Sequence, residues 1–144
     1  MSQVLNSQQV STGSISPKSR RLATATLWTI QVLLALIFLL VGSMKLIVPV
    51  EVLLAQMPLP LPGLFVRFIG CCEVAGALGL VLPALTRIRR ELTPLAGWAL
   101  ALEMVVATVY TLLGGGGVSA LFPLVVGLLC AAVAYGRRSY FARA

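Results

Sequence analysis

The sequence contains no histidine. That absence removes the usual haem ligand, the commonest metal ligand and the ordinary general base, so most enzyme templates fail here. Charge is nearly as scarce. Only 10% of the residues are Asp, Glu, Lys or Arg, and only four of the 144 are acidic, whereas a soluble domain carries roughly 25% charged residues. The three cysteines, Cys71, Cys72 and Cys130, form no C-x-x-C pair. Adjacent cysteines on a helix point about 100° apart and do not meet disulfide geometry, so all three read as small apolar packers. The glycines around Gly76 and Gly114 lack the strand and helix context of a phosphate loop. No catalytic residue and no metal ligand is assigned.

What the sequence has instead is apolar length. It is 59% hydrophobic with a mean hydropathy of +1.00, and four runs are long enough to cross a bilayer: Ala23 to Val48, Leu64 to Leu82, Leu92 to Leu113 and Val118 to Tyr135. The expected fold is an all-α integral membrane four-helix bundle over residues 23–137, between tails at 1–22 and 138–144. The net charge of +7 does not indicate a nucleic-acid partner, because the basic residues sit at the ends of spans. Lys18, Arg20 and Arg21 precede the first; Arg87, Arg89 and Arg90 join the second to the third; Arg137, Arg138 and Arg143 follow the fourth. By the positive-inside rule both termini and the middle loop are expected in the cytoplasm, in a multi-pass protein of the cell (inner or plasma) membrane.

The first twenty or so residues are rich in Ser, Gln and Thr and too poor in apolar groups to fold alone, so a disordered tail is expected. Their acid-free, Arg-ended composition also fits a mitochondrial transit peptide, though no amphipathic pattern accompanies it. The apolar run after Arg21 continues to Lys45, longer than the roughly 7–15 residues of a signal peptide core, and is read as an anchor.

The polar residues inside the spans are the candidates for function. A charged side chain at mid-bilayer costs roughly 2.5–3.5 kcal/mol, so each must be paired, protonated or hidden from lipid. Glu73 lies at the middle of the second run with Gly70, Gly76 and Ala77 on its helical face, where small residues let a partner helix approach. Gln31 and Lys45 stand within about 40° of one face of the first span, together with Phe38 and Gly42. Glu103 sits at the centre of the third span with Ala96, Ala99 and Ala107 on its face, and is expected to point inward. Arg67 enters near the outer end of the second. The formal charges of Lys45, Arg67, Glu73 and Glu103 cancel. Because side chains lean toward the start of their helix, Lys45 and Glu73 on helices of opposite sense aim at each other across roughly 9 Å of depth, which predicts an ion pair. The plainer alternatives stay open: Lys45 and Arg67 snorkelling to the interface, and a Lys45–Glu73 pair that is purely structural.

The connections are also informative. Ile47 to Gly63 is mostly apolar, with Pro58, Pro60 and Pro62 alternating before Gly63. A short interfacial helix over Val50 to Met57, then a stiff extended return packed against the outer surface, is expected. Pro83 should end the second helix ahead of a short basic turn, and Gly114 to Gly117 should make a tight outer hairpin.

The order of these features resembles the DoxX-like family of small four-span membrane proteins. The resemblance rests on the G-x-x-K-L of Gly42 to Leu46, the proline loop, the G-x-x-E-x-x-G-A-L-G-L of Gly70 to Leu80, the basic turn and the closing Gly136 and Arg137; it covers roughly Leu27 to Arg137. It implies Lys45 and Glu73 as signature polar positions, whereas Glu103 stands where an apolar or small residue is expected. Some members are linked with thiosulfate and quinone oxidoreduction or with oxidative-stress complexes. The resemblance therefore implies a membrane subunit that binds a hydrophobic redox partner or quinone and docks a partner oxidoreductase, or a homo-oligomer, rather than an enzyme in its own right. Two alternatives come from other classes: a small proton-coupled transporter using its intramembrane carboxylates, and a structural or assembly protein without a ligand. The candidate site comprises Gln31, Lys45, Arg67, Glu73 and Glu103.

Overall fold

The computed structural model describes residues 16–139, and these are all helix, turn and connection, with no strand among them. Helix α1 spans Pro17–Ile47, α2 Val50–Ala55, α3 Gly63–Thr86, α4 Leu92–Leu113 and α5 Leu121–Gly136, the last entered through a 3-10 turn at Gly117–Ala120. The four long segments are long and apolar enough to cross a membrane. Their lipid side carries Leu33, Leu40, Val105 and Leu128, all exposed, as a bilayer environment requires. Only a helix or a closed barrel satisfies its backbone there.

Helix α1 starts ahead of the apolar run, so residues 17–22 are helical and not part of a disordered tail. Ser16 caps it, its hydroxyl accepting from the Lys18 N–H at 3.4 Å, and Pro17 occupies the first turn, where a missing N–H costs nothing. The tails expected at 1–15 and 140–144 lie outside the described residues. A second difference is at Pro83. The helix does not end there but runs on to Thr86, with Arg87 in the left-handed region at φ 60°. Proline this near the end of a helix removes a single ladder bond, from the Gly79 carbonyl, and buried Pro83 packs in the bundle.

Helix α1 packs chiefly on α3 and α4 chiefly on α5, while α3–α4 and α1–α5 contacts close the ring. The α1–α3 crossing is set by two glycines. A Cβ on Gly42 would stand 2.9 Å from the Gly70 carbonyl oxygen, and one on Gly70 would stand 3.0 Å from that of Gly42. Neither tolerates a side chain without moving backbone. Phe38, Leu34, Leu80 and Leu100 fill the interior. Of the cysteines only Cys130 packs inside; Cys71 and Cys72 are exposed on α3, contrary to the expectation that all three pack.

Because Arg137 at the end of α5 meets Gln31 on the first half of α1, the beginning of α1, the α3–α4 turn and the end of α5 share one end of the bundle. That end, here the terminal end, gathers the basic clusters. At the opposite, loop end, the proline segment is strapped over the bundle. The Leu59 N–H donates to the Tyr110 hydroxyl at 3.2 Å, and that hydroxyl donates to the Leu59 carbonyl at 2.5 Å. Pro58 lies against Gly114, where there is no room for a Cβ.

Candidate functional site

The glycine crossing brings Lys45 onto Glu73. The Lys45 ammonium donates to Glu73 Oε1, with Glu73 2% and Lys45 21% exposed. The expected pair is therefore present, and its geometry follows from the crossing: Gly70 has no side chain to hold the Lys45 Cβ away. Arg67, one turn nearer the loop end on α3, donates from Nη1 to the Lys45 backbone carbonyl at 2.5 Å. Lys45 is in the last turn of α1, where carbonyls lack a helical N–H donor, so Arg67 caps that helix end instead of merely snorkelling.

Glu103 reaches the same cluster from α4. It lies on the stripe Ala96, Leu100, Glu103 and Ala107, whose Leu100 fits against Gly76 and whose Ala96 faces Gly79 of α3. The face differs from the expected one. Ala99 is exposed and the most buried stripe runs through Gly97, Leu100, Ala101 and Met104, leaving Glu103 half-buried at the α3–α4 seam. From there it interacts electrostatically with both Glu73 and Lys45. Two carboxylate oxygens in this cluster, Glu73 Oε2 and Glu103 Oε1, are buried and have no hydrogen-bond partner. Buried acceptors are ordinarily satisfied, so each such oxygen calls for a donor.

Gln31 does not join this cluster. It shares the α1 stripe with Lys45, but Leu34 and Phe38 fill the interior between them. At the terminal end the Gln31 Nε2 donates to the Leu80 carbonyl, one turn before Pro83, and its Oε1 accepts from Arg137 Nε at 3.1 Å. The Arg137 guanidinium also lies 5.1 Å from the centroid of the Trp28 ring, within cation–π range. Arg137 is only 6% exposed, although the sequence marks it only as one of three basic residues that follow the fourth span. Its place immediately after an uncharged span, at the depth of Gln31 on the first, was the available signal. The structure thus divides the five candidates: Lys45, Arg67, Glu73 and Glu103 gather near the loop end, and Gln31 forms a latch with Arg137. No group of three or more His, Cys, Asp or Glu able to hold a metal occurs among the described residues.

The family model of the DoxX-like family matches residues 29–133. No curated protein and no solved structure matches the chain. The matched region includes the glycine crossing, the Lys45–Glu73 pair and Glu103, and takes in most of the four spans. The chain belongs to the DoxX-like family.

Proposed function

We propose that this protein is a membrane subunit whose Lys45, Glu73 and Glu103 cluster binds a hydrophobic redox molecule of the quinone class, and which docks a partner oxidoreductase. The observation that carries the reading is the pair of buried, unpartnered carboxylate oxygens on α3 and α4 beside an ammonium group. A quinol offers two hydroxyl donors on an otherwise apolar ring, the complement of two such acceptors. The half-buried position of Glu103 at the α3–α4 seam favours entry from the bilayer, where such a molecule dissolves. The same reading puts the chain in the cell membrane with the basic, terminal end in the cytoplasm, where a partner protein would dock.

The test is titration of the purified chain in lipid nanodiscs with decylubiquinol. A hydrogen bond to a charged acceptor is worth about 1.5–3 kcal/mol, so Glu103→Gln, which breaks no bond seen in the protein, should weaken binding about tenfold or more. Unchanged affinity in that variant would overturn the reading. A second reading rests on the buried, unpartnered oxygen of Glu103 beside the Lys45–Glu73 pair, a carboxylate able to carry an exchangeable proton: a proton-coupled transporter, which would give flux in proteoliposomes driven by a pH gradient.

A further inference from the structure

Beside the cluster, but on the lipid face of α3, lies an open groove of about 610 Å³ lined by Pro62, Leu64, Phe65, Arg67, Phe68 and Cys71. Volumes of roughly 300–1,000 Å³ suit a sizeable organic group. Leu64, Phe68 and Cys71 follow one another at helical spacing down one face, and all are exposed. They form an apolar track that begins at head-group level and runs toward the bilayer centre. Arg67, at the top of the track, is the only charge in its lining. Its position in the second turn of α3 tilts its side chain toward the loop end, where head groups lie.

Two features separate Arg67 from a lysine or arginine that merely reaches for water. Its guanidinium is held in place by the Lys45 carbonyl at 2.5 Å, so its remaining donors have a fixed direction. Among the described residues it also lacks an acid partner. Glu73 in the cluster is taken by Lys45, and Glu51 on the adjoining α2 is exposed and forms no ion pair with it. A planar guanidinium with free N–H groups matches phosphate oxygens in a bidentate fork.

The geometry points to a binding site for an anionic phospholipid in this groove, with the phosphate on Arg67 and an acyl chain along Leu64, Phe68 and Cys71. The site is distinct from the Glu73 and Glu103 cluster and does not depend on what that cluster binds. An anionic head group is favoured over a zwitterionic one because no carboxylate of the described residues forms an ion pair with Arg67. A choline beside the phosphate would bring a second cation to the same place.

The experiment uses the full chain carrying Phe68→Trp, reconstituted in nanodiscs of phosphatidylcholine, with brominated-chain phosphatidylglycerol or brominated-chain phosphatidylcholine added as quencher. The fluorescence of Trp28 and Trp98 is subtracted with the unsubstituted protein. Phosphatidylglycerol should quench with an apparent affinity about tenfold above phosphatidylcholine, and Arg67→Gln should abolish the difference. Because Arg67 also caps α1, a second variant leaves it in place: Leu64 is 85% exposed, so Leu64→Glu puts an acid at the groove mouth without disturbing the bundle. It too should abolish the preference. Equal quenching by the two lipids in the Phe68→Trp protein, or a preference that survives Leu64→Glu, would overturn the proposal.

Discussion

Lys45 and Glu73 illustrate why a charge is tolerated inside an apolar bundle only with its partner in place. Removing either leaves the other desolvated and unpaired, a loss of about 3–5 kcal/mol for a fully buried pair and less here, because Lys45 is 21% exposed. Lys45→Met and Glu73→Gln should therefore each lower the midpoint of unfolding in detergent, with Glu73→Gln leaving a stranded ammonium. Gln31 follows the same logic with neutral groups. Gln31→Leu removes an acceptor from Arg137 and a donor from the Leu80 carbonyl, and should cost about 1–3 kcal/mol in the same assay. A Gln31→Leu protein as stable as the parent would show that the latch contributes nothing.

Among the elements, the α1–α3 crossing and the proline strap make separate predictions. Gly70→Ala places a methyl group 2.9 Å from the Lys45 Cβ and 3.0 Å from the Gly42 carbonyl. It should part the helices and destabilise by about 1–3 kcal/mol, weakening the ion pair as it does so. Tyr110→Phe removes both bonds to Leu59, so amide exchange at Leu59 should quicken by an order of magnitude or more while the spans stay protected. Exchange at Leu59 equal to that of the parent would mean that packing of Pro58 on Gly114 alone holds the strap. The four spans were legible in the sequence because length and apolarity specify them. So was the α1 stripe, since Gln31 and Lys45 are the two strongly polar side chains of the first apolar run and stand within about 40° of one face. The faces of α3 were less legible. From Gly70 to Gly79 small residues stand on every side of the helix, so size does not show that Cys71 and Cys72 turn outward while Gly76 takes Leu100. The run through Pro83 was hidden for a related reason. A proline signals a lost donor, but whether the helix stops depends on packing around it.

For the molecule as a whole, the basic clusters gather at one end and the strap and glycine hairpin at the other, which makes sidedness a property of the entire bundle. Val118 is 82% exposed beside the hairpin. In a background lacking Cys71, Cys72 and Cys130, Val118→Cys should react with an impermeant maleimide added outside intact cells, and labelling only after lysis would reverse the orientation. The central claim is that the cluster joining α1, α3 and α4 binds a ligand in addition to holding the helices together. The most direct measurement is therefore made on Lys45→Met, Glu73→Gln and the two combined, following both unfolding and decylubiquinol binding in each. The prediction is that the double variant regains most of the stability lost by either single one, because neither member of the pair is left without the other, while ligand binding stays lost. A double variant that is stable and binds decylubiquinol as the parent does would contradict the claim and leave Lys45–Glu73 a structural ion pair.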